Sequence, residues 1–149
     1  LDYRIVVYDD RPELATAANI PDADVYLTGP IADVLAAHPI DNRTYVAMVT
    51  RNVTIDRGLM PHVLASAAPY IGIMGSRRRW QETRRLLLQD GQTPEALERV
   101  VAPIGLELQA ETPNEIAVSI LAQVMQAQHD AQAQAADTAT IEAQQGPHR

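Results

Sequence analysis

The sequence predicts an α/β fold built on a parallel sheet, and three observations predict it. Short runs rich in β-branched and aromatic residues recur at Tyr3–Tyr8, Ala23–Leu27, Tyr45–Val49 and Tyr70–Met74. Stretches with helical apolar spacing alternate with them. The chemically loaded residues, Asp9-Asp10-Arg11, Thr50-Arg51 and Gly75-Ser76-Arg77-Arg78, each stand where such a run ends. Alternation at this spacing means βαβ units. In sheets of that kind, ligands bind beyond the carboxyl ends of the strands.

Each element follows from local chemistry. Tyr3–Tyr8 reads as a buried strand that stops at Asp9-Asp10-Arg11-Pro12. A loop with Pro21 and several acids leads to the second strand, Ala23–Leu27. Gly29-Pro30 opens a short helix whose apolar face is Ile31, Val34 and Leu35, with proline suited to a helix start. After the third strand, a helix starting near Asp56 carries Leu59, Met60, Val63, Leu64 and Ala67 as a stripe, and Pro69 stops it. The fourth strand turns at Gly75-Ser76 into a helix that runs to about Asp90, with Gly91 beyond it. Thr93-Pro94 opens another short helix, and Val100–Leu108 reads as a fifth extended segment. Thr112-Pro113-Asn114-Glu115 is a capping box, and the helix it starts is expected to bury Ile116, Ile120, Leu121 and Val124. The domain is expected to span residues 1–129. Residues 130–149 are Ala/Gln-rich with little apolar period, so a frayed helical extension or a flexible tail is expected there.

Composition narrows the chemistry. A length of 149 residues suits one domain, and 46% hydrophobic residues are ordinary for a globular protein. No apolar run approaches the roughly 18 residues that span a bilayer, so no membrane role is expected. There is no cysteine, which excludes disulfides, thiolate metal sites and a cysteine nucleophile, and fits the cytoplasm. All 12 basic residues are arginine, so neither a Schiff-base lysine nor a P-loop lysine exists here. The net charge of −7 is uneven. Residues 1–42 carry two Arg against eight acids, 43–104 nine Arg against five, and 105–149 one Arg against six. Only the middle third is basic, which argues against nucleic-acid binding and fits one local anion site.

Gly75-Ser76-Arg77-Arg78, extended by Arg79, is the strongest candidate site. Three cations at a helix N-terminus oppose the positive end of the helix dipole, at about 0.3–1 kcal/mol for each exposed charge. A phosphate at that turn would reverse the sign of the interaction. The competing reading is a solvated helix start with Ser76 as its cap. Asp9 or Asp10 could accept a hydrogen bond from a ribose hydroxyl, as an acid does in dinucleotide folds, or could simply end a strand. The glycine fingerprint that should precede such an acid by about 20 residues has no room in this chain. Thr50-Arg51-Asn52 either lines the same crevice or is a plain loop. His38, His62, His129 and His148 make no metal-ligand spacing, and no serine stands in a Gly-x-Ser-x-Gly turn. Trp80 is expected to pack its own helix.

Several stretches together resemble the carboxyl-terminal Rossmann-type domain of the XdhC/CoxI family, the xanthine dehydrogenase accessory factors. They are Val6-Val7-Tyr8-Asp9-Asp10-Arg11-Pro12-Glu13, Tyr70-Ile71-Gly72-Ile73-Met74-Gly75-Ser76-Arg77-Arg78, Ala102-Pro103-Ile104-Gly105-Leu106 and Glu111-Thr112-Pro113-Asn114-Glu115-Ile116 onward to Ala122. The similarity covers roughly residues 3 to 127 in order. The resemblance implies a Rossmann-like three-layer fold that here lacks the family's first strand and its glycine-rich loop. It implies a non-catalytic role: binding the molybdenum cofactor (molybdopterin), or NAD(P) or another nucleotide, and helping a molybdenum hydroxylase such as xanthine dehydrogenase receive the sulfurated cofactor. A cysteine desulfurase is an implied partner, and a homodimer a further expectation. Carried onto this sequence, the binding residues are Asp9, Asp10, Arg11, Thr50, Gly75, Ser76, Arg77 and Arg78.

Two departures from the family's pattern stand out. A threonine-histidine-aspartate run is replaced by Thr50-Arg51-Asn52. The first strand would lie between Tyr3–Tyr8 and Tyr45–Val49 in a doubly wound sheet, so its loss is expected to expose apolar edges and favour association. The opening at Leu1, almost directly on a strand, leads to the expectation that the native protein extends further at its N-terminus. Two alternatives remain at this point: an NAD(P)-dependent oxidoreductase domain and a protein-interaction module docking through its acidic ends.

Overall fold

The computed structural model describes residues 2–144, with side chains described as far as residue 136. The chain forms two compact units, Leu1–Ile40 and Asp41–Arg149. His148 and the last five residues of the expected tail lie outside the described residues.

The first unit pairs β1 (Val6–Tyr8) with β2 (Val25–Leu27) in parallel, in the register Val6 to Val25 and Tyr8 to Leu27. A helix, α1 (Ile31–Ala37), follows and buries Val34. The Asp24 carboxylate accepts from the Ile5 amide, and the Tyr8 hydroxyl donates to the Gly29 carbonyl. The expectation of a buried first strand is corrected here. Val6 is 50% exposed and Ile5 45%, because a two-stranded sheet has two edges and little to cover its faces.

The second unit holds a three-stranded parallel sheet ordered β3-β4-β5, from β3 (Tyr45–Met48), β4 (Tyr70–Ile73) and β5 (Val100–Val101). The central strand β4 is buried along its whole length, as a parallel strand paired on both sides should be. Its Gly72 is required by packing: a Cβ there would lie 2.6 Å from the Ile104 side chain and from the Tyr70 hydroxyl. Among the described residues, four helices accompany the sheet: α2 (Val53–Leu64), α3 (Arg77–Gln89), α4 (Pro94–Glu98) and α5 (Pro113–Gln144). The core contains Met60, Val63 and Leu64 from α2, Ile71 and Ile73 from β4, Leu87 from α3 and Leu97 from α4.

Several boundaries depart from the sequence pattern, each for a visible reason. α2 begins at Val53 rather than near Asp56, because the Asn52 side chain caps it by accepting from the Ile55 amide. It ends at Leu64, so Ala67 is exposed and outside the stripe. Arg99 closes that end by donating to the carbonyls of Leu64, Ser66 and Ala68. β5 is two residues long, not nine. Beyond it Ile104 donates back to the Ile73 carbonyl, and Leu106 donates to the Ser119 carbonyl, so the chain has left the ladder for α5. The capping box at Thr112 forms as read: the Glu115 carboxylate accepts from the amides of Glu111 and Thr112, which hold it below the usual carboxylate range. Of the residues expected on the inward face of α5, Ile116, Ile120 and Val124 are half-buried and Leu121 is not buried. Among the α5 residues whose side chains are described, Ser119 is the fully buried one, while Leu121 is 38% exposed. The reason is a close approach: a Cβ on Gly105 would sit 2.5 Å from the Ser119 hydroxyl. Gln123 then exchanges hydrogen bonds with the Gly105 backbone and accepts from the Tyr70 hydroxyl at 2.6 Å. The helix continues through the Ala/Gln-rich stretch as far as Gln144.

Candidate functional site

The three expected clusters all lie just past strand ends: Asp9-Asp10-Arg11 after β1, Thr50-Arg51 after β3 and Gly75-Ser76-Arg77-Arg78 after β4. The first belongs to the Leu1–Ile40 unit and the other two to the Asp41–Arg149 unit. β3 and β4 are neighbours in one sheet, so their two carboxyl-end loops are adjacent.

At the turn after β4, Gly75 has φ 141°, a conformation that L side chains rarely adopt. Its missing Cβ also makes room: a Cβ there would be 3.0 Å from the Arg79 side chain. Ser76 is the N-cap of α3, its hydroxyl oxygen accepting from the Arg79 amide at 3.2 Å. No acid stands in the first turn of α3. Arg77 and Arg78 are exposed and make no ion pair with a described residue. Arg79 behaves otherwise. Its guanidinium folds back and binds both oxygens of Asp56 on α2, at 2.9 and 2.8 Å. It also donates to the Thr50 carbonyl at 2.9 Å and to the Thr50 hydroxyl at 2.6 Å. The Thr50 hydroxyl in turn donates to Asp56, and Thr83 donates weakly to Asp56 at 3.4 Å. Asp56 is 0% exposed.

The five-residue sequence Gly75 to Arg79 therefore divides by role. Gly75, Ser76 and Arg79 build the turn, and Arg77 and Arg78 present two outward cations beside unpaired helix amides. The sequence placed Arg77 and Arg78 among the binding residues and gave Arg79 no partner, and it gave Asp56 no role beyond a helix start. A buried acid one turn into α2 with two threonines and an arginine around it was the missed signal. Thr50, expected among the binding residues, has its hydroxyl engaged with Arg79 and Asp56. The turn is a shallow concavity lined by Ile73, Met74, Gly75, Ser76, Arg79 and Trp80. Trp80 is half-buried there. A roomier hollow of about 320 Å³ lies at the start of α5, lined by Leu108, Gln109, Ala110, Asn114, Glu115 and Val118, and no expected site residue lines it.

In the first unit, Asp9 is bound by its own loop. Its oxygens accept from the Arg11 amide at 3.0 Å and from the Arg11 guanidinium at 2.9 and 3.0 Å. The Arg11 hydrogen bonds hold the Asp9 carboxyl below its usual range. Asp10 is exposed. Burial, reinforced by Asp10 and Asp9, pushes the Tyr8 hydroxyl up. Among the described residues no group of three His, Asp or Glu side chains could hold a metal ion, and no helix is long and apolar enough to cross a membrane.

Comparisons with known proteins agree with this architecture. A probable xanthine dehydrogenase subunit of Bacillus subtilis (strain 168) is 30% identical over 124 residues, which are 83% of this chain and 36% of that protein. The "Uncharacterized protein YqeB" of Escherichia coli (strain K12) is 34% identical over 87 residues, 58% of this chain and 16% of that protein. The chain thus spans about a third of the first relative's length and less of the second's. A crystal structure of a xanthine dehydrogenase from Bacillus halodurans superposes with a TM-score of 0.68 at 34% identity, covering 84% of this chain and 35% of that one. The model of the XdhC Rossmann domain family matches residues 1–124. The chain belongs to the XdhC Rossmann domain family.

Proposed function

We propose that this chain is the cofactor-binding part of an accessory factor that serves a molybdenum hydroxylase of the xanthine dehydrogenase type. It holds the phosphate of the molybdenum cofactor, or of a nucleotide, at the N-terminus of α3. The observation that carries this reading is the pair Arg77 and Arg78, exposed and without a described acid partner, at a helix start with no acid in its first turn. Two guanidinium groups and free helix amides are the donor set an anionic phosphate requires. The fit extends to the phosphate end of the cofactor. Bound, the cofactor supplies the molybdenum chemistry, while this chain binds and orients. The Ser76 hydroxyl accepts from Arg79 and keeps its own proton to donate to a phosphate oxygen. Sulfur delivery by a cysteine desulfurase, transfer to the hydroxylase in the cytoplasm and assembly as a homodimer complete the proposed setting. The names of two relatives, both of the xanthine dehydrogenase type, support the choice of partner.

The test is calorimetry on the full chain with the molybdenum cofactor, and with AMP as the nucleotide arm. Arg77→Ala combined with Arg78→Ala removes two charge-assisted contacts, each worth about 1.5–3 kcal/mol, so affinity should fall at least tenfold. Unchanged affinity for both ligands overturns the reading.

A further inference from the structure

We infer that Asp56 is a positioning residue for the anion site: through Arg79 it locks the turn after β4 to the loop after β3 and so sets where Arg77 and Arg78 point. The inference rests on the phosphate reading above. It starts from a buried charge that the proposed binding does not use.

Asp56 is fully buried and accepts from Arg79, Thr50 and Thr83. A buried ion pair is a poor device for stability alone, since desolvating both partners offsets most of their attraction. Apolar residues of similar volume often hold two helices together as well as a buried ion pair does. The geometry shows what an ion pair adds. Arg79 uses one side of its planar fork on Asp56 and another on the backbone carbonyl of Thr50. Three segments meet at that guanidinium: the first turn of α3, the body of α2 and the loop after β3. Arg79 stands one and two residues after Arg78 and Arg77 on the same helical turn. Fixing its side chain fixes the rotation of that turn, and with it the directions in which the two outward arginines leave. Gly75 permits the arrangement, because a side chain there would press on Arg79. The network also sets the charge of the site. Asp56 neutralises Arg79, so the ligand meets two cations rather than three.

The experiment titrates inorganic pyrophosphate into the full chain by calorimetry, with circular dichroism and melting on each variant. Arg79→Lys keeps a cation beside Asp56, but one ammonium cannot span Asp56 and the Thr50 carbonyl as the planar fork does. It should remain folded and bind pyrophosphate about tenfold more weakly. Asp56→Asn should do the same. If Asp56→Asn does not fold, Arg79→Lys decides. Folded Arg79→Lys with unchanged affinity overturns the inference, because a purely structural role moves the melting temperature and leaves affinity alone. Binding that is lost in Arg77→Ala with Arg78→Ala but kept in both network variants overturns the positioning role and leaves the phosphate reading standing. No binding by the unmodified chain overturns both.

Discussion

The two units of this chain, Leu1–Ile40 and Asp41–Arg149, use the same alphabet and achieve different burial. Each has parallel strands, and each places charged residues just past a strand end. Yet of the 14 buried apolar residues among those described, only Ala15 and Val34 lie in the first unit. The run Ile5-Val6-Val7-Tyr8 is as apolar as Tyr70-Ile71-Gly72-Ile73, but Val6 is 50% exposed and Ile71 1%. The difference is position. β4 has a strand on each side, whereas β1 has one partner. The charged clusters differ in the same way. Asp9 and Arg11 form a local pair two residues apart, at 41% and 25% side-chain exposure for Arg11 and Asp9. Asp56 and Arg79 pair across 23 residues and tie separate elements together in the interior. Strand propensity is therefore a statement about sequence, and burial a statement about neighbours.

The contrast can be broken most directly in the core. Leu87→Ala, at a side chain that is 0% exposed, should destabilise by about 2–5 kcal/mol in urea unfolding. Val6→Ala should change stability by no more than about 0.5 kcal/mol. Equal losses would mean that the first unit holds a core of comparable weight.

Alkaline unfolding sharpens the comparison at two tyrosines. Burial pushes the Tyr70 hydroxyl up to about 12, above an unfolded value near 10. A raised folded pKa stabilises fully below the unfolded value and is lost as pH rises through the folded one. Stability should therefore fall between pH 10 and about 12, by about 2–3 kcal/mol at the upper end. Tyr70→Phe should flatten that part of the curve. Tyr8 is shifted in the same direction by burial and by Asp10 and Asp9. Tyr8→Phe should leave most of the alkaline fall in place.

The smallest effect is expected at Asp9. Arg11 lowers its carboxyl pKa, so the pair stabilises above the ordinary carboxylate pKa and is lost as pH falls through the lowered value. Carboxyl NMR titration should place Asp9 below its usual range, and Arg11→Ala should return it there. The stability change should stay under about 1 kcal/mol, as for other partly exposed pairs. A normal Asp9 titration in the unmodified chain would remove the pair from the comparison.

Much of this was legible in the sequence because it depends on local chemistry. The alternation of β-branched runs with helical stripes specified the order of the elements. Thr93, Thr112-Glu115 and Ser76 announced their caps, since a capping side chain bonds to amides two or three residues away. The cation cluster at Gly75 to Arg79 marked the candidate site, and the ordered stretches pointed to the family that the chain belongs to. What the sequence could not decide depends on contacts between distant residues. The short β5 follows from where α5 packs, and the inward face of α5 from the approach of Gly105 to Ser119. Arg77, Arg78 and Arg79 are chemically identical in the sequence. Only the tertiary structure separates them, because the buried carboxylate that claims Arg79 arrives from another helix 23 residues away. A side chain's local role is written in its neighbours along the chain, and its partner in space is set by packing.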